Sequence, residues 1–138
     1  MELAAHAPLL SAAVTILALV LYLYMGFIVG AARTKYGIAA PAITGHPDFE
    51  RTYRVQVNTL ENLVVFLPAL WLATTFFTRW GWLPALLGLV WVIGRALYMQ
   101  GYVAAAQKRS TGFLISFVAQ IVLLLLAIAG IVMAWTAT

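Results

Sequence analysis

Four long stretches of this chain are nearly free of charge, and that one property limits what it can fold into. Residues 7–32 hold no Asp, Glu, Lys or Arg, residues 62–78 hold none, residues 83–107 hold Arg95 alone, and residues 110–138 hold none. A bilayer needs roughly 20 predominantly apolar residues for each helical span. A chain inside lipid must also satisfy its own backbone hydrogen bonds, which leaves helices or a closed barrel. Hydrophobic residues make up 64% of the sequence and charged ones 9%, far below the roughly 25% charged residues of a soluble domain. The expected fold is all-α: an integral membrane four-helix bundle, one domain over residues 1–138. A large aqueous catalytic domain is excluded.

The segments between the spans fix the order of elements. The start MELAAHAP has no basic region and the apolar run behind it is long, so the first helix is expected to stay in the mature protein rather than act as a signal peptide. Residues 33–47 combine Gly37, Pro41, Gly45 and Pro47, which predicts a loop. Asp48 then serves as the expected cap of a second helix that enters the membrane with polar residues and should kink at Pro68. Arg79, Trp80, Gly81 and Trp82 form a tight interfacial connection, and Pro84 opens a third helix predicted over residues 83–107. Gly26, Gly30, Gly88 and Gly94 read as points where helices pack closely.

Charge is unevenly spread. Eight basic and four acidic residues give a net +4, and seven of these charges (Arg33, Lys35, Asp48, Glu50, Arg51, Arg54, Glu61) fall in one short stretch. Positive charge gathers in the first and third loops, which places both on the cytoplasmic side of a bacterial inner membrane or of the endoplasmic reticulum. No run of basic residues reads as a nucleic-acid surface. The chain has no cysteine, so any sulfur chemistry must use a ligand's sulfur. His6 and His46 are too few and too scattered for a metal site, and no metal is expected.

Helical spacing collects the polar residues into two faces. At 100° per residue Arg51, Arg54, Asn58 and Glu61 fall within a sector of roughly 80°, and Arg95, Tyr98, Tyr102 and, if the third helix continues, Arg109 within roughly 60°. Ionisable groups at membrane depth pair with one another or line a cavity. One reading is an internal network, Arg54 with Glu61 and Arg95 with a carboxylate, without any ligand. The other is an anionic ligand, because Arg51, Arg54, Arg95 and Arg109 outnumber the carboxylates available to them. Arginine forks would take carboxylates, Glu61 an ammonium, Asn58 an amide, and the tyrosines would donate hydroxyls. Arg51 alternatively pairs with Asp48 or Glu50 at the helix start, and Arg95 with Glu61.

The segments Phe49-Glu50-Arg51-Thr52-Tyr53-Arg54-Val55-Gln56-Val57-Asn58-Thr59-Leu60-Glu61 and Gly94-Arg95-Ala96-Leu97-Tyr98-Met99-Gln100-Gly101-Tyr102, followed by Gln107-Lys108-Arg109, resemble the MAPEG family, the membrane-associated proteins in eicosanoid and glutathione metabolism. The resemblance implies a homotrimer with glutathione bound at each subunit interface as co-substrate. It implies that Arg54, Asn58, Glu61, Tyr98, Tyr102 and Arg109 belong to one subunit's share of the site, with Arg33 and Gln56 reaching in from a neighbour and Arg51 and Arg95 in support. Arg109 matches the arginine that stabilises the glutathione thiolate. The implied activity is glutathione transfer to lipophilic electrophiles arriving from the bilayer, with glutathione-dependent peroxidase activity beside it. Leukotriene synthases of this family carry a second arginine after the position of Arg33 and a tyrosine after that of Glu61, where this chain has Thr34 and Asn62. A broad transferase therefore fits better than a dedicated leukotriene synthase. Two alternatives stay open: a non-enzymatic, lipid-presenting member of the same family, and a small proton-coupled exporter using Glu61. The arginines around Glu61 oppose a cation site.

Overall fold

Gly37 decides where the first helix stops. In the computed structural model, which describes residues 5–138, α1 runs over Ala7–Tyr36. It passes the expected boundary at Ala32 because Arg33, Thr34, Lys35 and Tyr36 contain no breaker. Gly37 then adopts φ 68°, the left-handed conformation that costs glycine little, and its N–H returns to the Arg33 carbonyl. The charged last turn is still helix, so the predicted loop begins later than the charges do.

The second helix, α2, covers Pro47–Phe76 and runs through Pro68 as one element. Its cap is His46 and not Asp48: the His46 imidazole Nδ1 accepts the Asp48 N–H at 3.1 Å. Pro47 occupies the first helical position, where a missing N–H costs nothing. Asp48 is thereby free to pair with Arg51 and to accept the Tyr36 hydroxyl at 3.3 Å, while the His46 ring stacks on Tyr36 with centroids 4.1 Å apart. These contacts bind the start of α2 to the end of α1.

The third helix, α3, spans Leu83–Ala104 and ends before the predicted residue 107. Ala105 is extended with φ −165°, and Ala106–Arg109 form a 3-10 turn that leads directly into α4, Ser110–Thr136. The reversal is so tight that a Cβ on Gly101 would lie 2.2 Å from the Lys108 carbonyl oxygen. Arg109 is therefore not on the α3 wheel. It is placed by the turn that folds back over Gly101.

All four helices are long and apolar enough to cross a membrane. Lipid tails are as apolar as leucine, so the helices are held by close packing and hydrogen bonds rather than by escape from water. α2 touches all three other helices, and α1 packs against α2 and α3. The Phe66 and Trp91 rings stack at 3.9 Å between centroids and 3° between planes, with Leu63, Leu70 and Leu123 buried in the same cluster. At the end away from the basic loops, the buried Ser11 and Thr74 hydroxyls join α1 to α2 at 2.7 Å. Residues such as Ile16, Phe27, Leu125 and Ile128 point outward, as lipid contact requires.

The α3–α4 pair is the closest. A Cβ on Gly112 would sit 2.1 Å from the Tyr98 backbone nitrogen, and one on Gly94 2.7 Å from that of Ser116. Gly88 likewise admits Val14 and Leu70. Gly30, expected to be a packing point, has nothing within 4 Å of its Cβ position and belongs to the outer surface of the bundle. Replacing Gly112 with Ala must push two backbones apart, so G112A is expected to cost about 2 kcal/mol or more. A lowered melting temperature in detergent would show it, and an unchanged one would contradict the close approach.

Candidate functional site

The two predicted polar faces meet. At the basic end of the bundle, α2, α3 and α4 enclose a cavity of about 630 Å³. Its walls are Arg54 and Asn58 from α2, Tyr98 and Tyr102 from α3, Arg109 from the 3-10 turn, and Ser110, Phe113 and Leu114 from the first turns of α4. Arg54 and Asn58, like Tyr98 and Tyr102, stand four residues apart, so each pair projects from one helix face. The Tyr98 and Tyr102 rings pack at 5.5 Å, and the Arg109 guanidinium lies 5.6 Å from the Tyr102 ring centre while Nη1 donates to the Ala106 carbonyl at 3.2 Å. Polar heads thus occupy one end of the cavity, and Phe113 and Leu114 give it an apolar edge that is exposed on the lipid side.

Arg95 underlies the cavity and is fully buried. Its partners differ from the carboxylate expected from the sequence. Nη2 donates to Asn58 Oδ1 at 2.8 Å and to Thr59 Oγ1 at 2.8 Å, Nε donates to Thr59 Oγ1 at 3.3 Å, and the guanidinium lies 4.1 Å from the Tyr98 ring centre. Glu61 is not among these partners because it sits on the exposed side of α2. Instead Glu61 Oε1 faces Arg54 Nη1 at 3.6 Å, so half of the internal network exists and the Arg95 half does not. Among the described residues Arg95 Nη1 has no hydrogen-bond partner.

The other predicted residues lie outside the cavity wall. Arg51 pairs with Asp48, the structural option. Arg33 Nη1 donates to the carbonyls of Ala42 at 2.7 Å and Ile38 at 3.4 Å, with the guanidinium 4.9 Å from the Phe49 ring centre. It braces the α1–α2 connection. Gln56 lies against α1, where a Cβ on Gly26 would come within 3.3 Å of its Nε2. Among the described residues no three His, Asp or Glu side chains come together as metal ligands.

Several residues of the site were missed. Ser110, Phe113 and Leu114 have the i, i+3, i+4 spacing of one helix face directly after Arg109, a signal visible in the sequence. Thr59 was not, since a single threonine beside Asn58 has no pattern of its own. Removing the Arg95 side chain as R95M would strip Thr59 of its donor and Asn58 of one of its two. A loss of about 1–3 kcal/mol is expected, read as a lower melting temperature in detergent. E61Q breaks a pair that is half exposed and should shift stability by less than about 1 kcal/mol.

Comparison with known proteins identifies the family. The MAPEG family model matches residues 11–129. A protein of Synechocystis sp. named only as uncharacterized is 48% identical over 120 residues, covering 87% of this chain and 86% of that one. Human microsomal glutathione S-transferase 2 is 43% identical over 123 residues, covering 89% of this chain and 82% of the relative. Leukotriene C4 synthase of Cavia porcellus is 39% identical over 122 residues, covering 88% of this chain and 80% of the relative. A family match over most of the length, carried by a membrane bundle with this cavity, makes the chain a member of the MAPEG family.

Proposed function

We propose that the chain is a membrane-bound glutathione transferase that conjugates glutathione to lipophilic electrophiles. One observation carries this reading. Arg54, Arg95 and Arg109 surround or underlie a single cavity, and among the described residues one carboxylate, Glu61, comes within 4 Å of any of them. An excess of guanidinium groups around one cavity calls for an anion. Glutathione has the matching inventory: two carboxylates, one ammonium, two amides and a thiol. Relatives named for glutathione transfer and for leukotriene C4 synthesis support the same co-substrate.

In this reading Arg54 takes a carboxylate, Glu61 the ammonium, and Tyr98 or Tyr102 donates a hydroxyl. Arg109 stabilises the thiolate. A free thiol with a pKa near 8.5 is only a few per cent ionised at neutral pH, and lowering that value by two units takes about 2.7 kcal/mol of preference for the anion. A guanidinium with water excluded around it supplies energy of that order. The sulfur then forms a bond to the electrophilic carbon as the leaving group departs with its electron pair. The second substrate enters over Phe113 and Leu114, whose exposed faces join the cavity to the lipid phase. With a hydroperoxide in the same position, the thiolate would take the distal oxygen and release the alcohol, and a second glutathione would convert the resulting sulfenic acid to the disulfide and water.

Arg33 and Gln56 lie outside their own chain's cavity, so any role for them in a site belongs to a neighbouring copy. The proposed assembly is a homotrimer in which the α1–α2 side of one subunit closes the α2–α4 opening of the next. The basic loops face the cytoplasm, where glutathione is abundant.

Calorimetry with glutathione on detergent-purified protein, followed in parallel by thiolate absorbance in the ultraviolet, tests the reading. Wild type is expected to bind with a thiolate signal that R109A removes. Well-folded protein that fails to bind at millimolar glutathione would overturn the transferase and leave the lipid-presenting scaffold. E61Q is expected to weaken glutathione by about tenfold while leaving an N-acylated analogue, which has no ammonium, unaffected.

A further inference from the structure

A chain of side-chain amides leads from the middle of the bundle to the cavity. Trp91 Nε1 donates to Gln120 Oε1 at 3.1 Å, Gln120 Nε2 donates to Asn62 Oδ1 at 3.4 Å, and Asn62 Nδ2 lies 3.3 Å from Asn58 Oδ1. Asn58 Oδ1 also accepts from Arg95 Nη2 at 2.8 Å. Trp91 and Arg95 are fully buried and Gln120 is 5% exposed, so no water offers an alternative partner at this depth.

The sense of this chain is set by its ends. An indole N–H and a guanidinium can donate but not accept. Trp91 therefore turns the oxygen of Gln120 toward itself, which turns the Gln120 amide group toward Asn62 and leaves only an oxygen of Asn62 to receive it. Asn62 then presents its own N–H groups to Asn58, both to the side-chain oxygen and to the backbone carbonyl at 2.8 Å. Arg95, arriving from the other side, imposes the same orientation. Turning the Asn58 amide over would set its NH2 group against two donors. With Oδ1 held twice, Nδ2 is the atom Asn58 has left, and it makes no hydrogen bond among the described residues and is not sealed off from the surface.

We infer that Trp91, Gln120 and Asn62 are positioning residues that hold Asn58 with its amide N–H toward the cavity, so that this point of the site takes a carbonyl or carboxylate oxygen of the bound peptide. The inference rests on the glutathione reading and adds to it the polarity of one contact. Asn62, one of the two positions at which this chain departs from the leukotriene synthase pattern, becomes the middle link of the relay.

Q120M keeps the bulk of Gln120 and removes the link, and W91F keeps the stack on Phe66 and removes the first donor. Each is expected to weaken glutathione binding by about tenfold, with KM for glutathione rising more than kcat falls. In an N58A background the same changes should cost nothing further, whereas a general loosening of the bundle would cost as much as before. N58D keeps an oxygen for Arg95 and Asn62 but exchanges the donor for an acceptor, and it is expected to bind glutathione more weakly than N58A. Binding by Q120M and W91F equal to wild type, equal losses in both backgrounds, or an N58D variant at least as tight as N58A would each overturn the inference while leaving the transferase intact. Absence of glutathione binding by wild type would overturn both. Two variants at different links keep the experiment decisive if one does not fold.

Discussion

A full positive charge is held inside the bundle at Arg95, and the basic end of the protein is arranged around it. Burying a guanidinium is costly unless its donors are used and its charge is answered. Here α2 supplies the acceptors, Thr59 and Asn58, and α3 supplies the face of Tyr98. All of these are neutral. The charge therefore fastens α2 to α3 without being cancelled, and its field reaches the cavity that lies against Asn58 and Tyr98. One buried residue thus fixes the spacing of two walls and makes the space between them attractive to an anion. The α3–α4 contact completes the enclosure, since the backbones meet at Gly94 and Gly112 and so bring the first turn of α4 beside Tyr98.

Much of this was legible in the residues. Spans of uncharged sequence announced the four helices, and helical spacing placed Arg54 with Asn58 and Tyr98 with Tyr102 on faces that do converge. What escaped was decided by tertiary contacts or by competition between neighbours. Asp48 has good capping chemistry, but His46 reached the helix start first and left Asp48 to Arg51 and Tyr36. The carboxylate expected for Arg95 was replaced by a threonine and an asparagine, because burial selects the neutral acceptor that faces inward over the charged one that faces out. Arg109 reached the cavity by a different route from the one its helical phase suggested. Wheel arithmetic assumes an unbroken helix, and the chain turns at Ala105.

Arg33 and Gln56 both lie on the α1–α2 side, Arg33 donating to loop carbonyls and Gln56 beside Gly26, away from the walls of the cavity in their own chain. Arg33, held by two carbonyls, already has a fixed position. A side chain already immobilised loses little further freedom on assembly.

The short turn over Gly101 has one more effect. Because the 3-10 turn Ala106–Arg109 runs straight into α4 with no side chain capping it, the positive end of the joined helix's dipole lies in the same turn that carries Arg109 to the cavity wall. Aligned peptide dipoles place roughly half a unit of positive charge there, and it cannot be titrated or mutated away. The cavity therefore has a component of anion preference written in the backbone itself, one that would persist in a variant lacking any single arginine.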